Sequence, residues 1–272
     1  MKPFILNLSF LFLVTILISG MPPKKEFQGK AYYYSKSSLE LGTWGARLNE
    51  EQKKQIQQRL KNRLQKTYVL TFNKEESVYK EEDKLDAISG ATDSWGKNFT
   101  QGEQYKNVKT NTLIQNQEFY GKKFLVKDEL QSIEWILGSE SKQIGNYACF
   151  KATASVPTSE LNWFNFSWNE ISNNTTNEET KKGDVNLTEV VAWYTLQIPV
   201  SQGPSEFWGL PGLILEVNVG TTTILCSKVI MNPKEKSEIQ APEKGKVVAK
   251  MDYKEIITGK MKEMRNNRGR PR

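Results

Sequence analysis

Histidine is absent from all 272 residues of this chain. That absence removes the commonest general acid and base, every Ser-His-Asp or Cys-His arrangement and every histidine-ligated metal site. Cysteine is nearly absent too, since Cys149 and Cys226 are the whole complement, and two cysteines cannot build a four-cysteine zinc site. No Gly-rich phosphate loop ending in Gly-Lys-Ser/Thr occurs. The run Gly209-Leu210-Pro211-Gly212 does not substitute for one, because Pro211 has no N–H to offer a phosphate. No cofactor and no metal are therefore expected. A repeat of fixed period is also missing, which argues against a solenoid or a propeller.

What is present begins with an apolar run from Phe4 to Ile18, preceded by Lys2, broken only by Asn7, Ser9 and Thr15, and followed by Ser19-Gly20. This is the anatomy of a secretory signal peptide over residues 1–20. The other reading is an uncleaved anchor, but a span needs about 20 predominantly apolar residues. No cysteine follows the run, so lipid attachment at a mature amino-terminal cysteine is excluded. The expected address is the periplasm or cell envelope, with a surface-exposed or secreted protein as the second choice. Residues 21–272 suit a single domain with a sizeable core.

The net charge of +7 resembles a nucleic-acid signal until its position is inspected. Lys260, Lys262, Arg265, Arg268, Arg270 and Arg272 face only Glu263 in the tail 260–272. A solvated basic terminus explains this, and contact with an acidic membrane surface is the alternative. Nucleic-acid binding is not expected of an exported chain without a matching motif. Cys149 and Cys226 each fall in a strand-like segment, and an oxidising compartment favours a disulfide between them. Such a bridge would contribute about 4 kcal/mol at most by loop-closure entropy. Two buried free thiols are the other reading.

Hydrophobic periodicity supplies the elements. Leu48 to Lys66 carries Leu48, Ile56, Leu60 and Leu64 among polar residues, and Asn49 with Gln52 imitates a capping box, which predicts an N-terminal helix lying on a sheet. Gly29 to Ser35, Thr67 to Asn73, Ser77 to Lys80, Leu130 to Leu137 and Tyr147 to Ala154 read as strands, with Ile133, Trp135 and Leu137 inward. Gly121-Lys122 and Gly220-Thr221 read as two-residue hairpin turns. Ile88 to Gln104 suits an exposed excursion, and the aromatic stretch from Leu161 runs into an Asn/Thr/Glu-rich segment ending at Gly183. In the run Gly209-Leu210-Pro211-Gly212, Pro211 and Gly212 suit the two central positions of a type II turn, with Gly212 at positive φ. A strand should start at Leu213, with Leu213, Leu215, Val217 and Val219 on its buried face.

The hexapeptide Gly209 to Ile214, with Ala192-Trp193-Tyr194-Thr195 and Ile198-Pro199-Val200 before it, closely resembles the signature of the GLPGLI family. Trp135-Ile136-Leu137, the run Tyr147 to Ala152 and Pro242-Glu243-Lys244-Gly245-Lys246 fit the same pattern. The resemblance implies an envelope protein of a Gram-negative bacterium with no established activity. It does not extend to Ile88–Gln104 or Leu161–Asp184.

These readings combine into an α+β domain. A curved, mainly antiparallel, half-barrel-like sheet packs against the N-terminal helix and a C-terminal helix beginning near Asp252. Trp193, Tyr194, Phe207 and Trp208 either fill the core or line a concave face that takes a lipid, a lipoprotein or an envelope polypeptide. The expectation is a non-enzymatic, exported envelope protein. The alternative is a secreted hydrolase of envelope glycans in which Glu206 and Glu216 form a two-carboxylate site.

Overall fold

In the computed structural model the residues described are 27–38, 47–82, 101–161, 163–164 and 186–268. The leader, most of the excursion before Gln104 and most of the stretch from Leu161 to Asp184 lie outside them. Twelve strands form one open sheet: β1 (Gly29–Ser37), β2 (Gln65–Phe72), β3 (Glu76–Glu81), β4 (Gln104–Asn107), β5 (Thr112–Phe119), β6 (Lys122–Glu129), β7 (Ile136–Ile144), β8 (Tyr147–Pro157), β9 (Leu187–Thr195), β10 (Leu213–Val219), β11 (Thr222–Met231) and β12 (Lys246–Val248). Their order is β12-β6-β5-β4-β3-β2-β1-β11-β10-β9-β8-β7. All neighbours are antiparallel except β12, which runs parallel to β6. The first strand therefore sits mid-sheet, between β2 and β11.

Strand register explains why one face is interior. Ala31 lies opposite Leu70, Leu70 opposite Tyr79, Tyr79 opposite Gln104, Gln104 opposite Gln115, Gln115 opposite Val126, and Val126 opposite Val248. Cross-strand partners share a face, so this row crosses seven strands on the inner side. It is apolar at both ends and polar in the middle. A parallel row runs Phe72, Ser77, Lys106, Leu113. The tyrosines of β1 alternate as a half-buried strand requires: Tyr33 is 0% exposed and its neighbour Tyr34 38%.

The helices divide the packing unequally. The helices α1 (Glu50–Arg59) and α2 (Lys61–Leu64) follow the Asn49 cap, whose side chain accepts from the Gln52 N–H at 2.8 Å while the Gln52 side chain returns the bond at 3.0 Å. None of their described residues is fully buried. A single turn, α3 (Thr158–Leu161), follows β8. The packing helix is α4 (Lys250–Arg268), which buries Tyr253, Ile257 and Met261, one every four residues, against Phe119, Phe124, Val126, Trp163 and Val248. Its first N–H is capped from the sheet, by Asp128 Oδ2 at 3.0 Å from Lys250 N.

Four expectations are corrected. Residues 130–135 form no strand, and Leu137 is 58% exposed rather than inward. The β5–β6 turn is Tyr120-Gly121, one residue earlier than predicted, because Tyr120 at φ 48° and Gly121 at φ 75° are the pair in the left-handed region that a type I′ turn needs. Gly212 does not occupy the left-handed region; a Cβ there would lie 2.1 Å from the Thr195 carbonyl oxygen, so close backbone approach is what requires a glycine. The predicted alternation of β10 is interrupted by a bulge between Ile214 and Glu216, which adds Ile214 to the buried set while Leu215 and Val217 stay 1% and 0% exposed.

The thiols of Cys149 and Cys226 are free and buried. Their strands β8 and β11 are separated by β9 and β10, and three ladder spacings of about 4.8 Å exceed the roughly 7 Å that a disulfide can bridge. Each thiol instead donates to a carbonyl two residues away on its own strand, Tyr147 O at 3.6 Å and Lys228 O at 3.5 Å. Burial pushes Cys149 up to about 11 and Cys226 up to about 12. An acid whose folded pKa lies above its unfolded value contributes stability that is complete below the unfolded pKa, here 9.0, and is lost as pH rises through the folded one. Chemical denaturation between pH 8 and pH 12 should therefore show a steeper alkaline loss in the parent than in Cys149→Ala/Cys226→Ala. Parallel profiles would refute the assignment.

Candidate functional site

The segment from Leu196 to Gly212 leaves the sheet between β9 and β10 and folds back over its inner face. Its ends stay together because Thr195 and Leu213 are register partners. Backbone bonds tighten it: Leu213 N and Val200 N both donate to Ile198 O at 2.9 Å, Ile214 N to Gln202 O at 3.1 Å, and Gly209 N to Ser201 O at 3.2 Å. Ile198, Val200, Phe207 and Leu210 are buried in the main core. Gly209, at φ 92°, makes the reversal that a residue with a Cβ would resist. Two indoles clamp the outer end: Trp135 Nε1 donates to Trp208 O, and Trp208 Nε1 to Gln131 O, both at 2.8 Å. That clamp is what residues 131–135 do in place of strand pairing.

Where the loop meets the polar middle of the sheet, three charges are buried together. Lys106 is 0% exposed, and its Nζ donates to the carbonyls of Gly203 at 2.7 Å, Ser205 at 2.6 Å and Phe207 at 3.3 Å. Burial pulls the Lys106 ammonium down to about 7, with the Glu206 carboxylate acting in the opposite sense. Three carbonyls also favour the charged form, since a neutral amine has only two hydrogens to give them. Glu206 is 4% exposed. Its Oε1 accepts from Gln104 Nε2 and from Trp163 Nε1, both at 3.1 Å, and its Oε2 pairs with Lys250 Nζ at 3.2 Å. Lys250 also lies 3.7 Å from Glu160 and 5.9 Å from the Trp163 ring centroid. Beside them Ser77 Oγ donates to Gln202 Oε1 at 2.7 Å.

Five buried side-chain atoms among the described residues have no partner in the protein: Gln104 Oε1, Gln115 Nε2, Gln117 Nε2, Gln202 Nε2 and Tyr253 Oη. At about 1–3 kcal/mol each, leaving all of them unsatisfied would cost roughly 5–15 kcal/mol. That equals the whole net stability of a typical domain, about 5–15 kcal/mol.

A second cluster lies on the outer face. Glu216 is the register partner of Trp193. Its Oε2 takes Lys142 Nζ at 2.6 Å and its Oε1 takes Asn218 Nδ2 at 2.8 Å, while Thr223 Oγ1 donates to Asn218 Oδ1 at 2.7 Å. Lys142 Nζ stands 4.3 Å from the Trp193 ring centroid. The chain of contacts ties the edge strand β7 to β9, β10 and β11. Glu206 and Glu216 thus sit on opposite faces of the sheet, each engaged by its own lysine, and cannot flank one glycosidic bond as a two-carboxylate mechanism requires. Among the aromatic candidates, Tyr194 and Phe207 are core residues, Trp193 is partly buried against that core with Lys142 over its ring, and Trp208 braces the loop. The structure does not bring these four to one surface.

Sequence reasoning passed over Lys106, Gln104, Gln115, Gln117 and Lys250. Polar residues at inward parity in β4 and β5 were the available signal, but a short polar strand gives no hint of which face is buried. No group of three or more His, Cys, Asp or Glu able to hold a metal occurs among the described residues. None of their helices is long and apolar enough to cross a membrane.

Residues 135–216 match the model of a family described as a protein of unknown function, Porph_ging. The match opens at the Trp135 clamp and closes at Glu216, so it spans the folded-back loop and most of the outer ladder; the carboxyl-terminal resemblance and Lys106 fall outside it. No curated protein matches. Two solved structures of PNGF-II, in C2 and P21 space groups, each resemble the fold at a TM-score of 0.48 and 15% identity over 85% of this chain. The chain spans 33% of that protein's length. At that distance nothing about activity transfers.

Proposed function

We propose that this chain is an exported envelope protein that works by binding a polypeptide partner rather than by catalysis, with the β7 edge and its exposed apolar pair as the contact. The observation that carries this reading is the contrast between the two sides. Inside, its own loop and α4 cover the sheet, and the centre is charged and polar, which suits no acyl chain. Outside, Ile136 and Leu137 at the start of the edge strand are 72% and 58% exposed. An unpaired strand end next to two exposed aliphatic residues is the feature that strand addition uses. Lys142 and Lys151, engaged by Glu216 and Glu140, hold the rest of β7 in place. The basic end of α4 adds an electrostatic contact with an acidic envelope surface.

A photo-crosslinking residue at position 136 in the full-length chain, exported in its native host, should give one dominant polypeptide adduct. Ile136→Lys/Leu137→Lys should abolish it with a stability change within about 0.5 kcal/mol, as for exposed positions generally. A Glu206→Gln-sensitive hydrolysis of envelope glycans, or an adduct unaffected by the lysine pair, would overturn the proposal.

A further inference from the structure

Four of the unpartnered interior atoms belong to one circuit. Gln104 and Gln115 are cross-strand partners joined by an amide bond of 2.9 Å. Gln117 lies two residues along β5 and so on the same face, opposite Phe124. The Phe124 ring meets the Tyr253 ring edge-on at 5.3 Å, Tyr253 meets Trp163 at 5.8 Å, and Trp163 returns through its N–H to Glu206, which also holds Gln104. Gln104, Gln115, Gln117 and Tyr253 lie on the inner side of β4 and β5 and on α4, and all four are buried. Facing no protein partner are the amide donors of Gln115 and Gln117, the amide oxygen of Gln104 and the phenol of Tyr253. Each residue is at most 4% exposed.

The chemistry of this set narrows the occupant. A carboxylate or phosphate would accept from the two amides but could give nothing to Gln104 Oε1, and it would lie beside Glu206. An ammonium could not accept from the amides at all. A neutral hydroxyl both accepts and donates, and so does the phenol that completes the set. The geometry points to a buried site for neutral hydroxylic molecules, held by Gln104, Gln115, Gln117 and Tyr253. Water and small polyols share that chemistry. An interior polar cluster of this kind is where trapped water is found in globular proteins.

High-resolution crystals of the full chain, grown and cooled without polyol, should show ordered density within hydrogen-bond distance of Gln115 Nε2, Gln117 Nε2 and Tyr253 Oη. Soaking in glycerol separates the two sources: glycerol in that density makes small polyols the ligand class, and unchanged water makes it water. Rotated amides bonded to one another around a dry interior would overturn the site. Thermal melts give an independent reading. Tyr253→Phe, which keeps the volume, should lower Tm by about 2–4 °C because the occupant loses a partner. Gln115→Met should act in the same direction. An unchanged or raised Tm in Tyr253→Phe is the opposite result, since removing an orphaned hydroxyl from a dry core relieves a cost, and it would also overturn the inference.

Discussion

Lys250→Met is expected to lower stability by roughly 3–5 kcal/mol, because it strands the Glu206 carboxylate in the interior. Both side chains of the pair are 5% exposed, so water cannot replace the lost ammonium without opening the packing of α4. The Trp163 ring, 5.9 Å from Nζ, loses its cation as well. The double change Lys250→Met/Glu206→Gln should recover much of the loss, since a neutral amide keeps the bonds from Gln104 and Trp163 without a charge to solvate. Urea unfolding of the two variants beside the parent measures this. A single variant within about 1 kcal/mol of the parent would mean that the pair is solvated and that α4 is not bolted to the loop.

Gly212→Ala is the second large effect. Its Cβ would lie 2.1 Å from Thr195 O and 2.6 Å from Thr195 C, and both are backbone atoms that no rotamer change can move. Relief requires the β9–β10 pairing to open at the Thr195 to Leu213 register point, which is where the ends of the folded-back loop meet. A loss of about 3 kcal/mol or more is expected. Gly220→Ala is the control: it sits at φ 53° in a hairpin with nothing within 4 Å of the added carbon, so only the left-handed penalty of about 1–2 kcal/mol applies. Equal melting curves for the two alanine variants would disprove the close-approach explanation.

Both predictions concern residues whose importance shows unequally in the sequence. Gly212 belongs to a conspicuous hexapeptide, yet turn chemistry alone assigned it a positive φ that Gly209 has instead. Lys250 looks like one more cation near a basic tail. Its role depends on Asp128 capping α4 and on Glu206 arriving from a loop 44 residues earlier in the chain. The capping box at Asn49 was legible because it is local, three residues from donor to acceptor. The packing of that helix was not, whereas α4 starts at Lys250, two residues before the Asp252 expected for a C-terminal helix.

Local rules were enough for what the sequence determined by itself: the absence of histidine, the Gly220-Thr221 hairpin, and strands built on alternating apolar residues. Each rests on neighbours within a few positions, where propensity and periodicity act. Tertiary structure alone decided that Glu206 and Glu216 face opposite ways, that two strands lie between those of Cys149 and Cys226, and that Lys106 is wrapped in three carbonyls from a loop almost a hundred residues distant. Those outcomes follow from strand order and from one loop folding inward. Strand order joins segments far apart in the chain, and no local pattern of residues encodes which of them will meet.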